Sequence, residues 1–214
     1  MRRPASERGA ALVTMLFLML ALLMMSLSST RAALAGAKSA RYERDRLVAH
    51  AAAEAALFDA ERDIDGAAGP TSPRTAIFTA LDAAAFSEGC SGTAEKTGLC
   101  KLNATSPAWQ TADLAGDGGV EYGRFSGRML PTAAGTLPAA APRYLIELLP
   151  AVVPPVVPGT TPLFRITALG VGADPATVVV LQSYYRRAAG IQPSKRLGWR
   201  EIANWPELHA AASD

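Results

Sequence analysis

The sequence predicts an α+β fold in which one long N-terminal helix precedes an antiparallel β-sheet. Proline and glycine are nearly absent from the first 65 residues of the 214-residue chain, whereas both are frequent in the remainder. Helix-forming residues dominate the first part, and alternating apolar runs separated by turn residues occur in the second. Half of the residues are hydrophobic but only 7% are aromatic, so alanine supplies much of the apolar content.

The first half of the predicted helix is apolar enough to span a membrane. No charged residue occurs between Arg8 and Arg31, and the run Ala10–Leu27 is almost wholly apolar. A membrane-spanning helix needs about 20 apolar residues, and this run is close to that length. Because a short arginine-rich leader precedes the run, the leader is expected to stay in the cytoplasm and the rest of the chain to lie outside.

The second half of the helix is predicted to be amphipathic and to end near Ile64. Strong helix formers continue without a proline until Pro70. Apolar residues recur there at steps of three and four residues, which predicts a stripe that faces a domain. The predicted stripe consists of Val48, Ala51, Ala52, Ala55 and Phe58.

An ordinary secretory signal is an alternative for this N-terminus. Ala33-Leu34-Ala35 is similar to a signal-peptidase site, and a cut there would release a periplasmic binding module that begins at Gly36. Two observations count against it. The apolar run exceeds the roughly 7–15 residues of a signal core, and Arg31 lies between that run and the site.

The remainder of the chain is predicted to form loops and then a sheet. A short helix is expected over Thr75–Phe86. The predicted strands are Val120–Phe125, Arg143–Leu149, Leu163–Val171 and Thr177–Arg187. The turn residues 172–176 join the last two strands into a hairpin. The proline-rich segment 150–162 cannot be a central strand and is predicted to project as a loop.

Two tryptophans mark the tail, residues 190–214. Trp199 and Trp205 could pack on the sheet or bind a neighbour, and packing on the sheet is the more frequent outcome.

Cys90 and Cys100 are predicted to form a disulfide that closes a short loop. They are the only two cysteines, so the ligand pairs of a zinc site are missing. Two free thiols are the alternative. A disulfide is the better interpretation if the domain lies outside the cytoplasm, as the N-terminal segment predicts.

No enzyme, cofactor or metal site is predicted. The chain has two histidines and no nucleophile elbow, zinc-protease motif or phosphate-binding loop. Asp113, Asp117 and Glu121 have the spacing of a loose oxygen-ligand set, but they do not match a calcium loop and are interpreted as turn residues. A net charge of +2 does not supply the basic surface expected for nucleic-acid binding.

The leader, Gly9 and the apolar run together resemble a type III signal, which prepilin peptidase cleaves after the glycine on the cytoplasmic side. This resemblance implies cleavage between Gly9 and Ala10 and N-methylation of Ala10. Cleavage before the apolar segment would keep that segment in the mature protein.

The helix resembles the PilX family of minor pilins. The matching residues are Arg44-Asp45-Arg46, Ala52-Ala53-Glu54-Ala55-Ala56-Leu57, Asp59 and Glu61. The stretch Phe164–Arg187 is similar to the C-terminal sequence of the same family, so that the resemblance covers about residues 8–62 and 143–187.

This resemblance implies a type IV pilin-like fold, in which the long helix packs on the antiparallel sheet. The predicted divisions are a leader (1–9), a membrane and filament-core half-helix (10–30), an amphipathic half-helix (31–65), a variable loop with the disulfide (66–119), and a sheet domain with its tail (120–214).

Thr14 departs from the general pilin pattern. Most pilins have glutamate at the fifth mature position, where it neutralises the N-terminal amine of a neighbouring subunit. A chain without that carboxylate is expected at the filament tip or in an initiating complex rather than as a repeating subunit. A type II secretion minor pseudopilin is the alternative within the same class.

The resemblance also implies partners and a location. The expected partners are other minor pilins, the major pilin, a tip adhesin, prepilin peptidase and the inner-membrane assembly platform. Before assembly the chain is expected in the inner membrane as a single-pass protein with a periplasmic C-terminal domain, and afterwards in the surface pilus near its tip.

Overall fold

The computed structural model describes residues 8–133, 135–149, 162–188 and 191–213. The chain divides into two compact units, Met1–Arg44 and Asp45–Asp214. The predicted proline-rich loop, residues 150–162, lies outside the described residues except for Pro162.

The N-terminal helix α1 extends from Arg8 to Ile64. Its composition of alanine, leucine and methionine favours a helix, and no proline interrupts it. Gly66 follows the end of α1 with a φ of 97°, and the Ala67 N–H donates to the carbonyl of Arg62 at 2.9 Å. A glycine in the left-handed region satisfies the last carbonyls of a helix and stops it, so the predicted end near Ile64 is confirmed.

Six strands form one sheet in the second unit. They are β1 (Leu99–Lys101), β2 (Val120–Glu121), β3 (Arg143–Leu149), β4 (Leu163–Val171), β5 (Val178–Arg186) and β6 (Lys195–Glu201). The order is β1-β3-β4-β5-β6, and β2 also pairs with β3. Strands β3, β4 and β5 pair antiparallel in this order, as predicted, and β6 adds an antiparallel edge strand that the sequence did not predict. Strand β1 is parallel to β3 and makes the sheet mixed. The α+β fold class is confirmed.

The predicted strand Val120–Phe125 is wrong beyond Glu121. Gly123 has a φ of 83°, and its N–H donates to the carboxylate of Asp59 on α1 instead of to a neighbouring strand. A residue in the left-handed region turns the chain out of the sheet, so β2 ends after two residues.

The predicted helix over Thr75–Phe86 is split in two. Helix α2 covers Pro73–Ala80, where Ser72 caps its first turn and Pro73 occupies the first helical position. Leu81 adopts a left-handed conformation with a φ of 53°, which ends α2. A 3-10 turn over Ala83–Ala85 follows.

The tail forms elements that the sequence did not predict. It contributes the edge strand β6 and the helix α4 (Trp205–Ser213), which contacts the short helix α3 (Ala108–Thr111). Trp205 is buried and donates its indole N–H to the carbonyl of Trp109 at 3.0 Å.

The sheet has a hydrophobic core on each face. On one face α1 packs against alternate residues of β3, β4 and β5, among them Ile146, Ile166 and Leu181. On the other face α3, α4 and the disulfide cover Leu145 and Val180. The second unit therefore has α1 on one side of its sheet and the tail on the other.

Candidate functional site

The half of α1 in the first unit exposes an apolar surface. Every described side chain from Ala10 to Arg44 is exposed. By length and composition, α1 contains a stretch able to cross a membrane. Leucine and methionine dominate this stretch, which makes lipid or a neighbouring apolar helix the medium that suits it.

Both threonine hydroxyls of this stretch are satisfied within the helix. The hydroxyl of Thr14 donates to the carbonyl of Ala11 at 2.9 Å, and that of Thr30 donates to Ser26 at 3.0 Å. A hydroxyl that bonds to its own helix can enter an apolar medium at little cost. Gly9 and Ala10, at the expected cleavage position, lie in the first turn of α1.

In the second unit, small residues bring α1 into direct contact with the sheet. Ala49, Ala53, Ala56 and Ala60 are fully buried. A Cβ placed on Gly170 of β4 would lie 2.1 Å from the carbonyl oxygen of Ala49 and 2.4 Å from the nitrogen of Ala53. The helix backbone thus rests on the backbone of β4, which requires glycine at position 170 of the strand and alanine on the facing side of the helix.

The predicted apolar stripe of α1 is mostly wrong. Ala52 is buried, but Ala51 and Phe58 are exposed and Val48 and Ala55 are only partly buried. Alanines occur all around this half of the helix, so apolar periodicity does not identify the buried face. Close backbone approach selects that face, and the sequence signal for it is alanine at positions 49, 53, 56 and 60.

Asp45 joins the start of this half to the turn between β4 and β5. Its carboxylate accepts from the N–H of Ala173 at 2.6 Å and of Asp174 at 3.1 Å. A hydrogen bond from the Thr177 side chain, together with these N–H groups, holds the pKa of Asp45 below its usual range, against the opposing effect of burial.

The flank of the helix contacts the edge strand β6 along its length. The three contacts are Arg46 with Glu201 at 2.6 Å, His50 with Trp199 at 5.9 Å between ring centroids, and Glu61 with Arg196 at 2.5 Å. The guanidinium of Arg196 also lies 4.4 Å from the ring centre of Phe58. Trp199 thereby packs beside α1 but stays 56% exposed.

The last turns of α1 carry two buried carboxylates. Asp59 accepts hydrogen bonds from the N–H of Gly123 at 2.8 Å and from the hydroxyl of Ser126. Carboxylates near a helix C-terminus are repelled by the helix dipole, so they would destabilise the helix on its own. Their partners in distant segments show that these carboxylates attach the helix to the domain.

The second of these carboxylates, Asp63, forms a fully buried ion pair with Arg74. The guanidinium donates to both carboxylate oxygens, at 3.1 Å to Oδ1 and 2.6 Å to Oδ2, and neither side chain is exposed. The hydroxyl of Tyr144 adds a third hydrogen bond to Asp63 at 3.1 Å. Burial raises the pKa of Asp63, and the charge of Arg74 opposes that change; burial likewise raises the pKa of Tyr144.

The predicted disulfide between Cys90 and Cys100 is present, with both residues buried and their Cα atoms 4.3 Å apart. The loop that it closes holds the carbonyls of Glu95 and Thr97, which accept from Arg74 at 2.6 Å and 3.0 Å. The disulfide loop therefore holds the cation that neutralises Asp63 on α1. Sequence reasoning missed Arg74 and its partners, since no local pattern marks them.

The turn interpretation of Asp113 fits the geometry. Its carboxylate accepts from the N–H of Gly116 at 2.9 Å, and Glu121 pairs with Arg143 at 3.0 Å. The described residues contain no group of three or more histidine, cysteine or acidic side chains arranged to hold a metal ion.

One helix with an apolar exposed half and a sheet-bound half is the arrangement of a pilin-like fold. Two family models match the chain. The PilX N-terminal model matches residues 8–58, and the model described as type IV pilus assembly protein PilX C-term matches residues 84–187. Together they cover well over half of the sequence. The chain belongs to the PilX family of type IV pilus assembly proteins.

The second family model matches from residue 84 onward. It therefore covers much of the segment between residues 62 and 143, for which the sequence alone showed no resemblance. Searches of curated proteins and of solved structures found no match. Membership makes the chain a minor pilin of type IV pilus assembly, which is a structural role rather than an enzymatic one.

Proposed function

We propose that this minor pilin works in a priming complex at the pilus tip, together with other minor pilins and a tip adhesin. The observation that carries the proposal is Thr14. Its hydroxyl is already bonded to Ala11, and it offers no charge to the amine of a neighbouring subunit. An unpaired charge inside an apolar filament core costs several kcal/mol, so a chain of this kind is unsuited to repetition along the filament.

Processing belongs to the same proposal. Cleavage between Gly9 and Ala10 removes the leader 1–9 and leaves the apolar half-helix 10–30 as a membrane anchor. The domain then lies in the periplasm until the assembly platform extracts the chain. Small and flexible apolar side chains allow the helix to exchange lipid contacts for helix contacts within the filament.

The priming role is tested by deleting the gene and restoring it on a plasmid. The deletion strain is expected to lose most surface pili, and complementation is expected to restore them. A deletion strain with the wild-type number of pili contradicts the priming role. Loss of protein secretion with pili intact would instead support the type II pseudopilin alternative.

The processing step is tested by measuring the intact mass of the mature chain. The expected N-terminus is N-methylated Ala10, and replacing Gly9 with valine is expected to retain the leader. A mature N-terminus at Gly36 contradicts the proposal, because it would show an ordinary secretory signal and no anchor.

A further inference from the structure

One face of α1 in the second unit points away from the sheet. Leu47, Ala51, Glu54, Phe58 and Arg62 recur on it at steps of three and four residues, and all five are exposed. We call these five residues the outer face. Leu47 is 66% exposed and Phe58 is 53% exposed. The side of a helix that faces water is normally polar, so two large apolar residues there suggest a contact surface.

Among the described residues, Glu54 is the acidic side chain of this segment for which no partner is found. The carboxylates of Asp45, Asp59, Glu61 and Asp63 each accept a hydrogen bond or form an ion pair. Glu54 forms neither among the described residues. It lies between Leu47 and Phe58 on the outer face. A charged group in such a position can form a polar contact that apolar residues surround.

A pocket of about 310 Å³ opens beside Phe58. Its lining consists of Ala55, Phe58, Asp59, Arg62, Tyr122 and Arg128. Asp59 is already held by its two hydrogen bonds, whereas the guanidinium groups of Arg62 and Arg128 have no partner among the described residues. Two free guanidinium groups with aromatic walls suit a carboxylate carried on a partly apolar segment.

We propose that the outer face binds a neighbouring pilin subunit of a different sequence. Glu54 pairs with a cation of that subunit, Arg62 and Arg128 receive one of its carboxylates, and Leu47 and Phe58 supply the apolar contact. This inference rests on the proposed function, because it assumes a complex of minor pilins. The paired charges fix the register of the two chains, and the apolar contacts exclude water around them.

The charge arrangement and Thr14 together argue for a different subunit rather than a second copy. Glu54 and Arg62 lie eight residues apart on one helix, about 12 Å at 1.5 Å per residue. Two parallel copies could pair Glu54 of one with Arg62 of the other only if one copy were shifted by about 12 Å along the helix axis. The second copy would then offer its own unpaired charge to a third copy. Such a head-to-tail stack grows without closing, which does not suit a chain that lacks the charge for repetition.

The first test places a photo-crosslinking amino acid at Ala51 of the full chain in its own cells. The control position is Glu207, an exposed residue of α4 on the opposite side of the sheet. The expected result is an adduct from position 51 whose crosslinked peptide belongs to another chain with a prepilin leader, and no such adduct from position 207. The same adduct from both positions, or an adduct with a second copy alone, overturns the proposal.

The second test reverses single charges and counts surface pili. E54R is expected to lower their number about tenfold, the effect of losing about 1.4 kcal/mol of binding free energy. E207R, a matched change of an exposed helical glutamate, is expected to leave the number unchanged. An unchanged unfolding midpoint shows that E54R folds. Wild-type piliation with E54R, in a strain whose gene deletion abolishes pili, overturns this contact without affecting the proposed function.

Discussion

The two halves of α1 share one backbone geometry and differ in what their side chains meet. From Ala10 to Arg44 every described side chain is exposed, and the hydroxyls of Thr14 and Thr30 bond to the helix itself. From Asp45 to Ile64, alanines rest on the sheet, and the carboxylates of Asp45, Asp59 and Asp63 accept bonds from distant segments.

The proposed function accounts for this difference. A surface that passes from lipid into a bundle of helices needs apolar contact without specific partners, because its neighbours change. A helix that carries a folded domain needs partners that do not change. Buried ion pairs and hydrogen-bonded carboxylates provide such partners, because they fix one rotation and one register of the helix against the sheet.

The largest expected effect is from breaking the buried ion pair of the domain-bound half. R74M leaves Asp63 buried without its cation and is expected to lower the free energy of unfolding by about 3–5 kcal/mol. Urea unfolding of the full chain in detergent, followed by the fluorescence of the buried Trp109 and Trp205, measures it. K101M is the control, since Lys101 is exposed and lies 3.9 Å from Glu88. Equal loss in both variants would show that the pair has no special role.

Removing the disulfide is expected to have the next largest effect. Replacing both Cys90 and Cys100 with serine is expected to lower the free energy of unfolding by about 2–3 kcal/mol, because the loop is no longer closed in the unfolded chain. The loop also orients the carbonyls that bind Arg74. A variant that combines the two serines with R74M should therefore lose less free energy of unfolding than the sum of the separate losses. A double-mutant cycle from urea unfolding checks this. Strict additivity would show that the loop and the ion pair are independent.

A smaller effect is expected from widening the contact between α1 and β4. G170A places a methyl group against the backbone of Ala49 and is expected to cost about 1–3 kcal/mol. G198A is the matched strand control, because nothing lies within 4 Å of a Cβ at Gly198. A neutral G170A would mean that the helix can move away from the sheet without loss.

The smallest expected effect concerns Asp45 and depends on pH. Its folded pKa lies below its unfolded pKa, so its contribution is present above the unfolded pKa and is lost as the pH falls through the folded pKa. D45N is expected to lower the free energy of unfolding by about 0.5–1 kcal/mol at neutral pH. It is also expected to remove the part of the pH dependence of stability that Asp45 causes. Unfolding midpoints of both proteins from neutral to acidic pH measure it, and parallel curves would contradict the assignment.

Much of the fold could be predicted from the sequence, because its signals were local. The end of α1 and the strand Arg143–Leu149 follow from helix propensity and from alternation. Two strands gave no such signal. Strand β1 has only three residues, which is too short for an alternating apolar pattern, and the residues of β6 do not alternate between buried and exposed. Both depend on tertiary contacts that no local window contains.

The attachment of α1 to the sheet was harder to predict than the helix itself. Acidic residues in an apolar helical end, such as Asp59 and Asp63, mark the need for partners but do not name them. Arg74 lies in another helix, and Gly123 and Tyr144 lie in the sheet region. Because alanine occurs on every side of the helix, the sequence did not identify the buried face. The predicted apolar stripe therefore lies mostly on a side of the helix that faces away from the sheet.

Hydrogen exchange of the full chain in detergent tests the difference between the two halves most directly. Amides from Ala49 to Asp63 are expected to exchange only when the whole domain unfolds, because their helix is attached through buried contacts. Amides from Arg31 to Arg44, which have no such contacts, are expected to exchange at least about a hundredfold faster through local opening. Equal protection in the two stretches would contradict the claim that specific contacts hold only the second half.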